Sequence, residues 1–311
     1  MNFIQQIQET SIFQRGQIRP INATLSASLS LSYPASVNML SHYYREPSKR
    51  ADRYTFFFQN GEVGNRVVRF QNRPGAEEFV FIPDWRAEVQ QWTPFIDQLS
   101  ENHTVEYFES REKSGTQYKA DDISFDIETL ADDLANYLNQ KDEDYHLVGA
   151  SLGATTIIKA WKQLQRKPKT LTLICPFLQL KMPSYLQLLP LLGSRIVNKA
   201  APFAYRLFKN TSHLQSLNKL LREDLENGST QKLLRLKASV EALININLDI
   251  SEIETIDCPS FILYALNDNK HLAEEAEAIQ SAIAGAKSLA FEDFNKVREE
   301  AGALAIEAWM N

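Results

Sequence analysis

Gly149-Ala150-Ser151-Leu152-Gly153 sits between two patterns that together leave the chain few ways to pass through it. Before it, Tyr145 to Val148 reads as a short apolar strand. After it, Thr155 to Leu164 (TTIIKAWKQL) has apolar residues at helical spacing. A strand that becomes a helix over so few residues must bend sharply, and such a bend lifts the side chain at its apex, Ser151, above the sheet edge. Gly149 and Gly153 suit that bend, because a side chain at either would collide where strand and helix pass closely. The Leu152 N–H follows the serine and points where negative charge would develop on an attacked carbonyl, with the positive end of the helix behind it. The plainer reading is a tight strand-to-helix turn whose serine only caps the helix.

The surrounding pattern favours the first reading. Tyr54 to Phe58, a turn at Asn60-Gly61, and Val67 to Gln71 read as a hairpin. Phe79 to Ile82 is a continuous apolar run of the kind buried on both faces. A helix over Trp92 to Leu99 and a strand over Val105 to Phe108 follow. Asp126 is placed to cap a helix whose buried face is Ile127, Leu130, Ala131, Leu134 and Leu138. Past the serine, Thr170 to Cys175, Ser260 to Ala265 and Lys287 to Phe291 read as strands, and Val297 to Met310 as a closing helix. Strands alternating with helices imply a doubly wound, mostly parallel sheet with right-handed crossovers. The first 50 residues are harder to assign, with short helices expected over Phe3 to Phe13 and Ala35 to Tyr44 and a strand over Thr24 to Ser32.

At 311 residues the chain is long enough for one large α/β core. No run of about eighteen apolar residues occurs, so no membrane-spanning helix is expected. Cys175 and Cys258 show neither CxxC nor metal-ligand spacing, and read as reduced core residues. No secretory signal pattern opens the chain, and a cytoplasmic location is expected. The serine-rich stretch 1–51, whose only acids are Glu9 and Glu46, leaves an organelle-targeting role open. Charge is unevenly spread: 145–222 holds twelve lysines and arginines and no acid, in a chain of net charge −6. That field can draw an anionic ligand, lipid surface or acidic partner, or merely balance acidic helices nearby. Nucleic acid is not an expected partner, because the chain as a whole is acidic and carries no reader motif.

The order of elements, with Gly-x-Ser-x-Gly after the fifth strand, resembles the α/β-hydrolase superfamily over about residues 54–310. The stretch Ile256-Asp257-Cys258-Pro259 through Asp268 looks like that family's seventh strand, and by that match Asp268 falls on the acid of a Ser-His-Asp triad. Glu109 to Thr116 (ESREKSGT) is a relative of the family's turn after the fourth strand. The resemblance implies Ser151 as nucleophile and the backbone N–H groups of Leu152 and Trp85 as oxyanion donors, with no metal and no cofactor. Two positions depart from the pattern. Ile82-Pro83-Asp84-Trp85 stands where His-Gly is usual, and an inward-facing Asp84 carboxylate would oppose an oxyanion. Asn295 occupies the place of the triad histidine, and asparagine cannot take the serine proton.

Five histidines are available to replace it. His42 and His103 precede the fourth strand, and His146 lies inside the fifth as a packing residue. His271, three residues after Asp268, is the preferred base, with His213 the second choice. Residues 178–250 read as helical in period, with breaks near Pro190, Pro202 and Asn227-Gly228, and fit a lid inserted between the sixth and seventh strands. The core is then 51–177 and 251–311, and 1–50 is an N-terminal extension. Leucines over 185–192 and Phe203, Tyr205, Leu207 and Phe208 would roof the pocket with apolar surface. Arg195, Lys199, Arg206 and Lys209 would give the lid a basic face for an anionic membrane. Two functions stay open: a hydrolase of an ester or thioester with a hydrophobic acyl group, its substrate a small or lipid-like acyl compound whose anionic form would suit the basic stretch, or a degenerate fold that binds a lipid or protein without turnover.

Overall fold

The computed structural model describes residues 44–47, 51–73, 75–118, 124–180, 187, 191, 230–268 and 270–311. The readings over 3–13, 24–32 and 35–43, His42, His213, and the lid residues Arg195, Lys199, Phe203, Tyr205, Arg206, Leu207, Phe208 and Lys209 lie outside the described residues.

Strands β2 (Asp52–Asn60) and β3 (Val63–Gln71) form the expected hairpin, and Gly61 supplies the left-handed turn with φ +57°. Both strands outrun their apolar centres, since cross-strand pairing continues through the polar ends. Outside β2 runs a short antiparallel strand, β1 (Tyr44–Pro47). Tyr44 therefore begins a strand rather than ending a helix, because the edge of β2 offers its backbone hydrogen-bond partners.

Strands β4 (Glu78–Ile82), β5 (Thr104–Phe108), β7 (Tyr145–Ala150), β8 (Leu171–Ile174), β9 (Ser260–Ala265) and β10 (Lys287–Phe291) run parallel. The sheet order is β1-β2-β3-β5-β4-β7-β8-β9-β10, with β6 (Gln117–Tyr118) paired to β3. This is the doubly wound, mostly parallel arrangement expected from the alternation of patterns. It puts β7 in the middle of the parallel part, between β4 and β8, with Ser151 at its carboxyl end. In such sheets ligands bind outside the carboxyl ends of the strands. Phe79 to Ile82 and the whole of β7 are buried, as strands covered on both faces must be.

Helices cover the sheet: α1 (Thr93–Ser100), α2 (Ile127–Leu138), α3 (Leu152–Ala160), α4 (Thr230–Ile244), α5 (Ile250–Ile253), α6 (Ala273–Ala282), α7 (Phe294–Arg298) and α8 (Glu300–Met310). Asp126 caps α2, its Oδ1 accepting from the Thr129 N–H at 2.7 Å. The single closing helix expected over Val297 to Met310 is instead two. Glu299 is extended between α7 and α8, and Gly302 comes so close that a Cβ there would stand 2.0 Å from the Val297 carbonyl oxygen. The helical period read over 178–250 has a further break at 245–249, which joins α4 to α5 without helix. Among the described residues no helix is long and apolar enough to cross a membrane.

Charge is buried where the apolar pattern alone would not place it. Glu106, inside β5 and fully buried, accepts from Lys141 Nζ and Arg69 at 2.6 Å each. Burial would raise its carboxyl, yet those two cations hold it down at about 2. Within the basic stretch, Lys159 pairs with Glu252 at 2.8 Å and Lys169 with Glu77 at 2.8 Å.

At the amino end of β7, His146 stacks on Phe79 at 4.8 Å, and His103 meets the same ring edge-on at 4.9 Å. Burial pushes both imidazoles below the ordinary histidine value, outweighing the carboxylates beside them. The unfolded chain thus binds protons more readily, so stability falls as pH drops from about 6.5 through the depressed folded values. A urea midpoint that falls between about pH 7 and pH 5, with a flatter slope in His103→Gln/His146→Gln, is the expected result. An unchanged slope in that variant would contradict it.

Candidate active site

Ser151 adopts φ +51° and ψ −113°, a conformation costly for a residue with a Cβ. Neighbouring backbone enforces it: the Ser151 N–H donates to Ile174 O at 2.8 Å, and Ser151 O accepts from the Thr155 N–H at 3.1 Å. Both flanking glycines are required by contact. A Cβ on Gly149 would lie 2.5 Å from Ile157 Cδ1 and 2.8 Å from Ala154 Cα. On Gly153 it would lie 2.1 Å from Ile82 O and 2.9 Å from Pro83 O. The second contact brings the loop after β4, with Asp84 and Trp85, against the start of α3.

The loop after β9 carries two further groups. Ser151 Oγ lies 2.7 Å from His271 Nε2, and His271 Nδ1 lies 2.7 Å from Asp268 Oδ2. The other Asp268 oxygen accepts from the Lys270 N–H at 2.8 Å, which fixes the carboxylate in its turn. Burial would raise the Asp268 carboxyl, but the hydrogen bond and charge of His271, with those amides, hold it below the usual carboxylate value. An ionised Asp268 keeps the proton on Nδ1 and leaves Nε2 free to accept from the serine. Phe177 and Phe294 flank the imidazole, with ring centroids at 6.0 and 5.5 Å.

The structure thus brings Ser151, His271 and Asp268 together. His146 lies at the far end of β7, and Asn295 is an exposed residue in the first turn of α7, whose N–H donates to Asp293. Its neighbour Phe294 meets the site instead, as a wall beside His271. Acid and imidazole are three residues apart on one loop, so an imidazole reaches the serine without a histidine after β10.

The N–H groups of Leu152 and Trp85 have no hydrogen-bond partner among the described residues. Asp84 does not face them uncompensated. Its Oδ1 accepts from Trp92 Nε1 at 2.8 Å and its Oδ2 from Arg298 at 2.5 Å, while the Arg298 guanidinium lies over the Trp92 and Phe294 rings. Neither Arg298 nor Trp92 carries a local signal of this role, since Arg298 and Asp84 are 214 positions apart in the chain.

Ser151 is 5% and His271 7% exposed, so the pair is recessed, where electrostatic contacts are strongest. A slot of about 10 Å³, room for about one water, runs against both Trp85 and Leu152, walled by Phe125, Ile127, Leu130 and Leu243 and by the polar Glu112 and Ser239. Such a serine, with a free imidazole nitrogen at hydrogen-bond distance and spare N–H groups beside it, has the parts for acyl transfer.

No known protein-family profile and no curated protein matches the chain. Solved structures do. An enol-lactonase from Burkholderia xenovorans LB400 is similar at 15% identity, covering 80% of this chain and 96% of its own, with a TM-score of 0.61. A thermophilic esterase from Thermogutta terrifontis, solved with malate bound, also shares 15% identity, over 84% of this chain and 98% of its own, with a TM-score of 0.61. An α/β-hydrolase enzyme from a Medee basin deep-sea metagenome library shares 14% over 82% and 97%, with a TM-score of 0.62. With its strand order and the sharp bend at Ser151, the chain has the α/β-hydrolase fold.

Proposed function

We propose that this protein is a serine hydrolase that cleaves an ester or thioester with a hydrophobic acyl group. The observation that carries the reading is the continuous relay from Ser151 Oγ through His271 to Asp268, two contacts of 2.7 Å each. His271 Nε2 takes the serine proton as Oγ attacks the acyl carbon, and the negative oxygen that forms accepts from the Leu152 and Trp85 N–H groups. His271 then passes its proton to the leaving oxygen or sulfur, and water releases the acyl group by the same route in reverse. The leucine-rich and aromatic composition of residues 185–208 supports a hydrophobic acyl group. Lactone and ester cleavage by similarly folded proteins supports the reaction class. Two absences favour a binding protein without turnover, the His-Gly after β4 and a histidine after β10, and His271 beside the serine supports the hydrolase reading against the second of them.

The test is hydrolysis of p-nitrophenyl esters and acyl thioesters of graded chain length. Turnover that is higher for medium or long acyl chains than for acetyl is expected. No turnover above buffer on any member would overturn the reading, and preference for acetyl would overturn its substrate class.

A further inference from the structure

We infer that Lys113 is a positioning residue for the oxyanion hole, its ammonium orienting and polarising the Asp84–Trp85 peptide whose N–H receives the developing charge. The inference rests on the hydrolase reading above and adds a residue to it. Lys113 lies in the turn after β5 and is 2% exposed, an unusual place for an ammonium group. Its Nζ donates to the Asp84 carbonyl oxygen at 2.8 Å and to the Glu112 carboxylate. The same carbonyl accepts from the Ala87 N–H at 3.1 Å.

A peptide is planar and its C=O and N–H point opposite ways, so gripping the Asp84 carbonyl sets the direction of the Trp85 N–H. A cation on the carbonyl oxygen also draws electron density from the amide nitrogen. That makes the N–H a stronger donor, by the cooperativity of chained hydrogen bonds. Glu112 is the partner that a buried ammonium group requires. The turn itself is fixed: Arg111 makes two 2.7 Å bonds to Asp133, Glu109 accepts from Arg66, and the Lys113 N–H donates to Ser110 O at 3.0 Å. Lys113 and Arg298 therefore hold Asp84 from its backbone and its carboxylate respectively.

The experiment compares wild type, Lys113→Met and Glu112→Gln/Lys113→Met, the last removing the carboxylate that a lone Lys113→Met would leave buried and unpaired. Three quantities are read on folded protein: kcat and KM for one p-nitrophenyl ester, and affinity for an alkyl trifluoromethyl ketone, which binds serine as an anionic hemiketal. Falls of at least about tenfold in kcat and in ketone affinity, with KM within about twofold, are expected in the double variant. A packing role alone would lower melting temperature without that split. If the wild type is active and the double variant matches its kcat and ketone affinity, the role of Lys113 is overturned and the hydrolase reading stands. A wild type that neither turns over nor binds the ketone overturns both.

Discussion

Exchanging His271 for alanine is expected to lower ester hydrolysis by at least about 10³-fold, to the level left by Ser151→Ala. The serine hydroxyl is a poor nucleophile unless its proton has somewhere to go, and the acceptor within reach among the described residues is His271 Nε2 at 2.7 Å. Residues that act as one unit lose nearly everything when one is removed, so Ser151→Ala/His271→Ala should be no slower than either single variant. Adding Asn295→His to His271→Ala should not restore activity, because position 295 is exposed in the first turn of α7. Initial rates under saturating ester measure all four variants. A His271→Ala rate within about tenfold of wild type would show that another group serves as base.

The second large effect is structural and reaches the same site. Gly153→Ala is expected to destabilise the fold by about 2–4 kcal/mol and to impair hydrolysis in the fraction that remains folded. The added carbon would stand 2.1 Å from Ile82 O and 2.9 Å from Pro83 O. Both obstacles are backbone, so nothing can swing aside. Either α3 lifts from the sheet or the β4 loop retreats, and both movements part the Leu152 and Trp85 N–H groups. Gly61→Ala is the contrast: nothing lies within 4 Å of its Cβ position, and only the φ of +57° opposes it, a penalty of about 1 kcal/mol. Urea unfolding of the two variants measures the difference. A Gly153→Ala midpoint equal to that of Gly61→Ala would contradict the proposed crowding.

Much of this arrangement can be read along the chain, for physical reasons. Continuous apolar runs such as Phe79 to Ile82 announce a strand buried on both faces, and paired glycines around Ser151 announce the bend. Local signals of that kind need only a few neighbouring residues. Elements fixed by distant partners are less legible. Tyr44 to Pro47 becomes a strand because the β2 edge accepts it, and α7 parts from α8 because Gly302 closes on the Val297 carbonyl. Asp84 looked hostile to an oxyanion in isolation, since its partner Arg298 is far away in sequence. The short spacing from Asp268 to His271 was visible as a pattern, but only folding shows that the imidazole turns back toward the serine. Lys113 gave no signal at all beyond lying in a recognisable turn.

The most direct measurement is covalent: treat the folded protein with a fluorophosphonate and locate the adduct by peptide mass spectrometry. A single adduct on Ser151, absent from Ser151→Ala and from His271→Ala, is the result expected of a serine activated by that imidazole. No adduct on the wild type, or one that persists in Ser151→Ala, would contradict the assignment of Ser151 as nucleophile.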